Sequence, residues 1–465
     1  MKKSGACTTL LVGKEASLDG STLIARIEDG GDKPNPQRFV VVTADQQPTY
    51  FRSAASGVGI LLPEQSLSYT STPDADDSYG VWGGAGINKR NVAMSACETI
   101  TTNSRIASID PFVEQGIGEA DFLTLVLPYI RSAREGVLRL GQLLENYGTY
   151  ESNGVAFSDK EEIWYLETIG GHHWAAVRIP DDAYVIAPNR RNIDSYDFDS
   201  ADTLYSKDLP DLIENYQLNP DFEGVNLRHI FGSSTIKDAH YNNPRAWYVQ
   251  KHFSPKMVGN KSPEDQELPF LCYPEKKLSI EDVQWALSSH FQGTAFDPYG
   301  DGTEDEKKKY RSIGLNRNEE THILQIRADV PAAIAGVHWL TYGPNTFNAL
   351  VPFYANVDEI PQSYSSTPAV FDPTSLYWMT KLIALIGDAN FPLYSDMEQS
   401  FEENIMTFCR SVQHEIEEAA HGEDFSPVDL LTANQKMADY YYCELNELLA
   451  KMVKKGTLNM KLRFP

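Results

Sequence analysis

Three side chains near the start of this 465-residue chain can act together: the thiol of Cys7, the guanidinium of Arg26 and the carboxylate of Asp29. A thiol becomes a strong nucleophile only as a thiolate, and a permanent cation beside it favours that form. The carboxylate can orient an amine. If residues 1–6, Met1 to Ala6, leave as a short propeptide, the freed α-amine of Cys7 titrates at about 7.7–8.0, close to working pH. Cys7 then supplies both nucleophile and base, and no separate histidine is required. The processing bond is Ala6 to Cys7, and the chemistry expected is amide hydrolysis.

These side chains need a scaffold that brings them together. Two β-rich runs, Thr8 to Val12 and Ser21 to Ala25, flank the turn Ser17-Leu18-Asp19-Gly20 and predict a hairpin. A hairpin folds Cys7 back beside Arg26 to Asp29. A further strand is expected over Arg38 to Thr43. Others are expected at Val81-Trp82, Val92 to Ala96, Gly154 to Phe157, Glu162 to Thr168, His173 to Arg178 and Ala183 to Ile186. Phe122 to Tyr147 carries apolar residues at helical spacing. After Pro373 the pattern turns helical over Ser375 to Ile386, Asp396 to His421 and Val428 to Val453. A β-rich body with a helix-rich part from about 373 predicts an α+β layered fold, with 7–465 as one catalytic domain.

Composition removes other classes. Forty Lys and Arg against sixty-five Asp and Glu leave a formal charge of -25, which repels phosphate backbones and anionic lipid. No nucleic acid or membrane partner is expected. Five widely spaced cysteines without a CxxC pair argue against a disulfide framework and for a cytoplasmic, reducing setting; Cys97, Cys272, Cys409 and Cys443 read as buried small hydrophobes. Only Ser4, Gly5 and Ala6 separate Lys3 from Cys7, far short of the roughly 7–15 apolar residues of a signal peptide. His172 and His173 adjoin on a predicted strand, so they should face opposite sides and not share an ion. His414 and His421 do not make the His-Glu-x-x-His pattern, and Asp297 to Glu304 lacks the ligand alternation of an EF-hand. No metal or other cofactor is expected. Nucleophile elbows, phosphate-binding loops and dinucleotide fingerprints are absent from the sequence.

The ordered blocks Cys7-Thr-Thr-Leu-Leu-Val-Gly13, Asp19-Gly-Ser-Thr22 and Ala25-Arg-Ile-Glu-Asp-Gly30 resemble the opening of the dipeptidase A family of cysteine peptidases, within the N-terminal nucleophile (Ntn) hydrolase superfamily. Gly86-Ile-Asn88, Ala93-Met-Ser95, Glu98-Thr99, Glu162 to Thr168, His172-His-Trp174, Ala187-Pro-Asn-Arg190, Tyr241-Asn-Asn-Pro-Arg245 and Gly293 to Asp297 extend the likeness over most of the chain. The resemblance implies a four-layer αββα sandwich, two antiparallel sheets between helical layers, and metal-free, self-processing hydrolysis of dipeptides. Cys7 matches the nucleophile, Arg26 and Asp29 the Arg-x-x-Asp pair, Asn189 an oxyanion-hole asparagine and Arg245 a late supporting arginine. Glu98 departs from the related penicillin V and bile-salt acylases, which often carry Asn or Tyr there. A carboxylate at that place can receive a dipeptide's α-ammonium. The rival readings are an acylase-type C–N amide hydrolase and a non-catalytic binding protein on the same fold. A homo-oligomer is expected.

Overall fold

The computed structural model describes residues 6–420 and 426–462. Of the expected propeptide, only Ala6 lies within them. β1 (Thr8–Val12) and β2 (Thr22–Asp29) form the predicted hairpin, with Leu10 opposite Ala25 and Leu11 opposite Ile24. The Asp19 carboxylate shapes its turn by accepting the Ser21 N–H at 3.1 Å, and Gly20 takes the left-handed conformation at φ 75°. β2 runs past the expected Ala25 to Asp29 because its other edge pairs with strand Asn318–Ile326, a partner almost three hundred residues away.

Two six-stranded antiparallel sheets result. The first runs Tyr184–Ala187, β1, β2, Asn318–Ile326, Gly336–Tyr342, Val351–Tyr354. The second runs Thr203–Tyr205, His173–Ile179, Ile163–Ile169, Asn153–Ser158, Ala93–Thr99, Ala85–Ile87. Side chains alternate across each strand, and three buried clusters show where the faces go. Leu11, Ile24, Val185 and Leu324 meet Ala156, Tyr165 and Ala175 between the sheets. Leu10, Ala25, Ile27 and Ile323 pack outward with helices Asn243–Phe253 and Ile280–Leu287 and the C-terminal helices Leu376–Ala389, Phe391–Ala420 and Pro427–Leu458. Met94, Val155, Phe157 and Trp164 pack on Phe122, Leu125 and Leu140. The order is therefore helix, sheet, sheet, helix: the expected α+β, four-layer αββα sandwich. The C-terminal helices share a core with the first sheet.

Several local expectations change. The helical run Phe122 to Tyr147 is two helices, Glu119–Val126 and Ala133–Tyr147, separated by a short turn containing Pro128. Val81-Trp82 is not a strand: Gly80 and Trp82 have φ 119° and 48°, which no extended strand accepts. Cys443 is exposed rather than buried, whereas Cys272 and Cys409 are buried. The Cys97 side chain, like His421, lies outside the described residues.

Burial assigns a direct test of the inter-sheet core. Leu11→Ala should lower stability by about 2–5 kcal/mol in urea unfolding, whereas Leu18→Ala on the exposed turn should stay within about 0.5 kcal/mol.

Candidate active site

Cys7 stands just before β1, whose two neighbours are fixed by register: Thr9 faces Arg26 of β2 and Ala187 of the strand on the other side. Continuing those registers two residues toward the chain start sets Glu28 and Asn189 on either side of Cys7. By the alternation that sends Leu11, Ile24 and Ala187 between the sheets, Cys7, Arg26, Glu28 and Asn189 belong to the inter-sheet face, and Asp29 to the outer one.

The thiol is buried, with 4% of the residue exposed. Arg26 Nη1 lies 3.4 Å from Cys7 Sγ and 3.7 Å from Glu119 Oε1, while Nη2 donates to Glu28 Oε2 at 3.0 Å. A cation at this distance stabilises negative charge on sulfur. Burial works against the charge of Arg26 itself. The Cys7 thiolate and the carboxylates of Glu28, Glu119 and Glu320 outweigh that and raise its pKa above the ordinary arginine value.

Behind Arg26 runs a buried polar chain. His322 is its cross-strand neighbour, as Glu320 is of Glu28. His322 Nδ1 meets Glu320 Oε1 at 2.7 Å and its Nε2 meets Ser95 Oγ of the second sheet at 2.9 Å. Burial, with repulsion from Glu28, pushes the Glu320 carboxyl well up, and burial beside Arg26 pushes His322 well down. Burial thus disfavours charge on both Glu320 and His322, while Arg26 keeps its charge for the site.

Asn189 and Arg245 form a bracket on the main chain of Cys7. Arg245 Nη1 donates to the Cys7 carbonyl and to Thr8 Oγ1, each at 2.7 Å. Its Nη2 donates to Asn189 Oδ1 at 2.9 Å and Asn242 Oδ1 at 2.8 Å. Because a guanidinium only donates, this bond fixes the Asn189 amide with Nδ2 on the other side, where it donates to the Thr99 carbonyl at 3.0 Å. Arg245 is thus a positioning residue, carried by the first turn of helix Asn243–Phe253, which a π-turn, Asp238–Asn242, leads into.

Asp29 is buried, not part of a surface ion pair. Its carboxylate is held by Arg311 and by Asn318 Nδ2 at 2.6 Å. Arg311 and Arg245 both lie 5.2 Å from the Tyr241 ring, so Asp29 joins the same framework from the outer face. Glu98 follows a strand irregularity between Ala96 and Glu98, but its side chain lies outside the described residues. His172 and His173 do not point apart: His172 sits in the turn before the strand, and both Nδ1 atoms reach the Asp110 carboxylate, at 3.1 Å and 2.7 Å. Among the described residues no three His, Cys, Asp or Glu side chains gather as metal ligands, and no helix is long and apolar enough to cross a membrane.

Sequence reasoning missed Glu119, Arg311, Asn318, Glu320 and His322. Glu28 was legible in principle, since strand alternation places it on the face of Arg26. The others approach from distant segments with no local signature.

A cysteine at the head of an inner strand of an αββα sandwich, clasped by Arg26 and flanked by the Asn189 amide, fits the Ntn-hydrolase fold. The peptidase family C69 model matches residues 6–404, and the chain belongs to that family. It is 53% identical to a probable dipeptidase B of Lactococcus lactis subsp. lactis, covering 100% of this chain and 98% of the relative. It is 54% identical to dipeptidase A of Lactobacillus helveticus, over 99% of both chains. A dipeptidase of Bifidobacterium longum is 46% identical over 86% of this chain and 80% of its own length.

If Arg26 acts on the sulfur, Arg26→Gln should slow alkylation of Cys7 by iodoacetamide at neutral pH by about tenfold or more, the equivalent of at least one unit of thiol acidity. An unchanged rate would remove Arg26 from that role.

Proposed function

We propose that this peptidase is a self-processing cysteine dipeptidase with Cys7 as N-terminal nucleophile, acting without a metal in a reducing, cytoplasmic setting. The observation that carries the reading is the 3.4 Å contact between Arg26 Nη1 and Cys7 Sγ beside an amide donor oriented by Arg245. Relatives named as dipeptidases over their full length support the substrate class. Cys272, Cys409 and Cys443, which form no disulfide, fit a reducing compartment.

In the precursor, the Cys7 thiol attacks the Ala6 carbonyl, the Ala6–Cys7 amide breaks, and water hydrolyses the resulting thioester. The α-amine so freed is the base, and Asp29 is the carboxylate that orients it. In each cycle the amine takes the thiol proton and the thiolate adds to the dipeptide carbonyl. Asn189 Nδ2, with a backbone N–H, holds the oxyanion. The amine returns the proton to the leaving nitrogen, the C–N bond breaks, and water, deprotonated by the same amine, hydrolyses the acyl-cysteine.

A dipeptide panel assayed beside penicillin V and a conjugated bile salt tests the substrate class: dipeptides should be cleaved and the other two left intact, the reverse result favouring the acylase reading. Activity should survive a chelator and be abolished by iodoacetamide. Asn189→Ala should retain its fold by circular dichroism and lose about 10²–10³ in kcat through the missing oxyanion donor.

A further inference from the structure

Arg311 is held at three points and still has donors to spare. Its backbone N–H donates to the His240 carbonyl at 3.1 Å, its guanidinium lies 5.2 Å from the Tyr241 ring, and Nη2 rests on the Asp29 carboxylate. The side chain is only 9% exposed, yet Nε and Nη1 make no hydrogen bond among the described residues. Arg245, at the same distance from the Tyr241 ring, commits its donors to five acceptors. Buried donors without acceptors are costly, and on a cation the acceptor that fits is a carboxylate.

The chemistry at Cys7 points to the carboxylate concerned. The leaving nitrogen takes its proton from the Cys7 α-amine, so it comes within about 2.6–3.2 Å of that amine. Continued two residues beyond the Thr8–Ile27 pair, the register of β1 with β2 sets Asp29 across from Ala6, at the bond whose cleavage frees the amine. Through Asp29, Arg311 stands on the amine side of Cys7, the side to which the leaving residue departs. In a dipeptide the carboxylate carbon of that residue is about 2.5 Å from the leaving nitrogen by standard bond lengths and angles, and a guanidinium–carboxylate bond spans about 2.7–2.9 Å. Amine, leaving nitrogen, carboxylate, Arg311 and Asp29 then close a ring of contacts, each of ordinary length. One more residue on the C-terminal side would carry the carboxylate about 3.3–3.6 Å further away.

The electrostatics favour an anion at this place. Burial and the neighbouring Arg317 work against the charge of Arg311, while the Cys7 thiolate works for it. A ligand carboxylate adds to the favourable side. Asp29 alone does not fill that role, because its carboxylate is divided between Arg311 and Asn318 Nδ2, the latter at 2.6 Å. Arg317 is the nearby cation against which the assignment is measured: its carbonyl accepts the Gly30 N–H at 2.7 Å, one residue past Asp29.

Resting on the reading of Cys7 as nucleophile with its own amine as base, we propose that Arg311 is the receptor for the dipeptide's free α-carboxylate and confines cleavage to the bond before a C-terminal residue. The test compares kcat/KM for Ala-Leu with that for Ala-Leu amide in wild type, Arg311→Gln, Arg311→Lys and Arg317→Gln, with iodoacetamide labelling of Cys7 as the measure of an intact site. Wild type should prefer the free carboxylate. Arg311→Gln should shrink that preference at least tenfold, chiefly through KM, while still labelling at Cys7. Arg311→Lys, which keeps the charge but not the fork, should retain part of it, and Arg317→Gln should leave it in place. An unchanged preference in Arg311→Gln overturns the assignment, as does an equal fall on both substrates, the result of a role exerted only through Asp29. A collapse in Arg317→Gln alone also overturns it. Should Arg311→Gln fail to label, Arg311→Lys is read against wild type, and an undiminished preference there overturns the assignment. A wild type that labels at Cys7 and cleaves the amide equally well overturns it while sparing the nucleophile. A wild type that labels at Cys7 and cleaves neither peptide overturns the dipeptidase reading and this assignment with it.

Discussion

A guanidinium buried between two β-sheets is tolerable only if anionic groups surround it, and Arg26 imposes that demand on everything near it. Its partners come from three places: Cys7 at the head of β1, Glu28 on its own strand and Glu119 at the start of a helix outside the second sheet. The sandwich must therefore close with the thiol against the cation. Paired to Glu320 and Ser95, His322 carries polar contacts across the interior without adding charge, so the field at the sulfur is left to Arg26 and its carboxylates.

Arg245 supplies the complementary constraint. It donates to Cys7 O, Thr8 Oγ1, Asn189 Oδ1, Asn242 Oδ1 and the Tyr241 carbonyl. One side chain thus ties the backbone of Cys7, the Asn189 amide and the π-turn together. Lysine carries the same charge but not the fork that fits these acceptors, so the arginine is specific to its place. Arg311 and Asn318 do for Asp29 what Arg245 does for Asn189.

The hairpin, most of the strands and the helical tail were legible because their cause is local: period-two and helical patterning, and turn chemistry at Asp19-Gly20. The αββα order itself came from the resemblance of ordered motifs and not from periodicity. Cys7 and Arg26 were legible because one hairpin brings them together, and Asn189 and Arg245 because they sit in recognisable blocks. What escaped was contributed across long sequence distance. Asn318 reaches Asp29 only because its strand pairs with β2, and Glu119 reaches Arg26 only because its helix packs at the mouth of the sandwich. A capping segment such as Gly118 to Asp121 looks the same in sequence whether its glutamate faces water or a thiol. The helical spacing over Phe122 to Tyr147 marked helix, and Pro128 divides it in two.

The proposed mechanism requires the α-amine of Cys7 to be free in the working enzyme, since a base tied up as the Ala6–Cys7 amide cannot accept the thiol proton. Intact mass and N-terminal sequencing of fully active protein measure this directly. The sequence should begin Cys-Thr-Thr-Leu with residues 1–6 gone, and Cys7→Ala made the same way should retain Met1 to Ala6. Full activity in wild-type protein that still carries those six residues would contradict it.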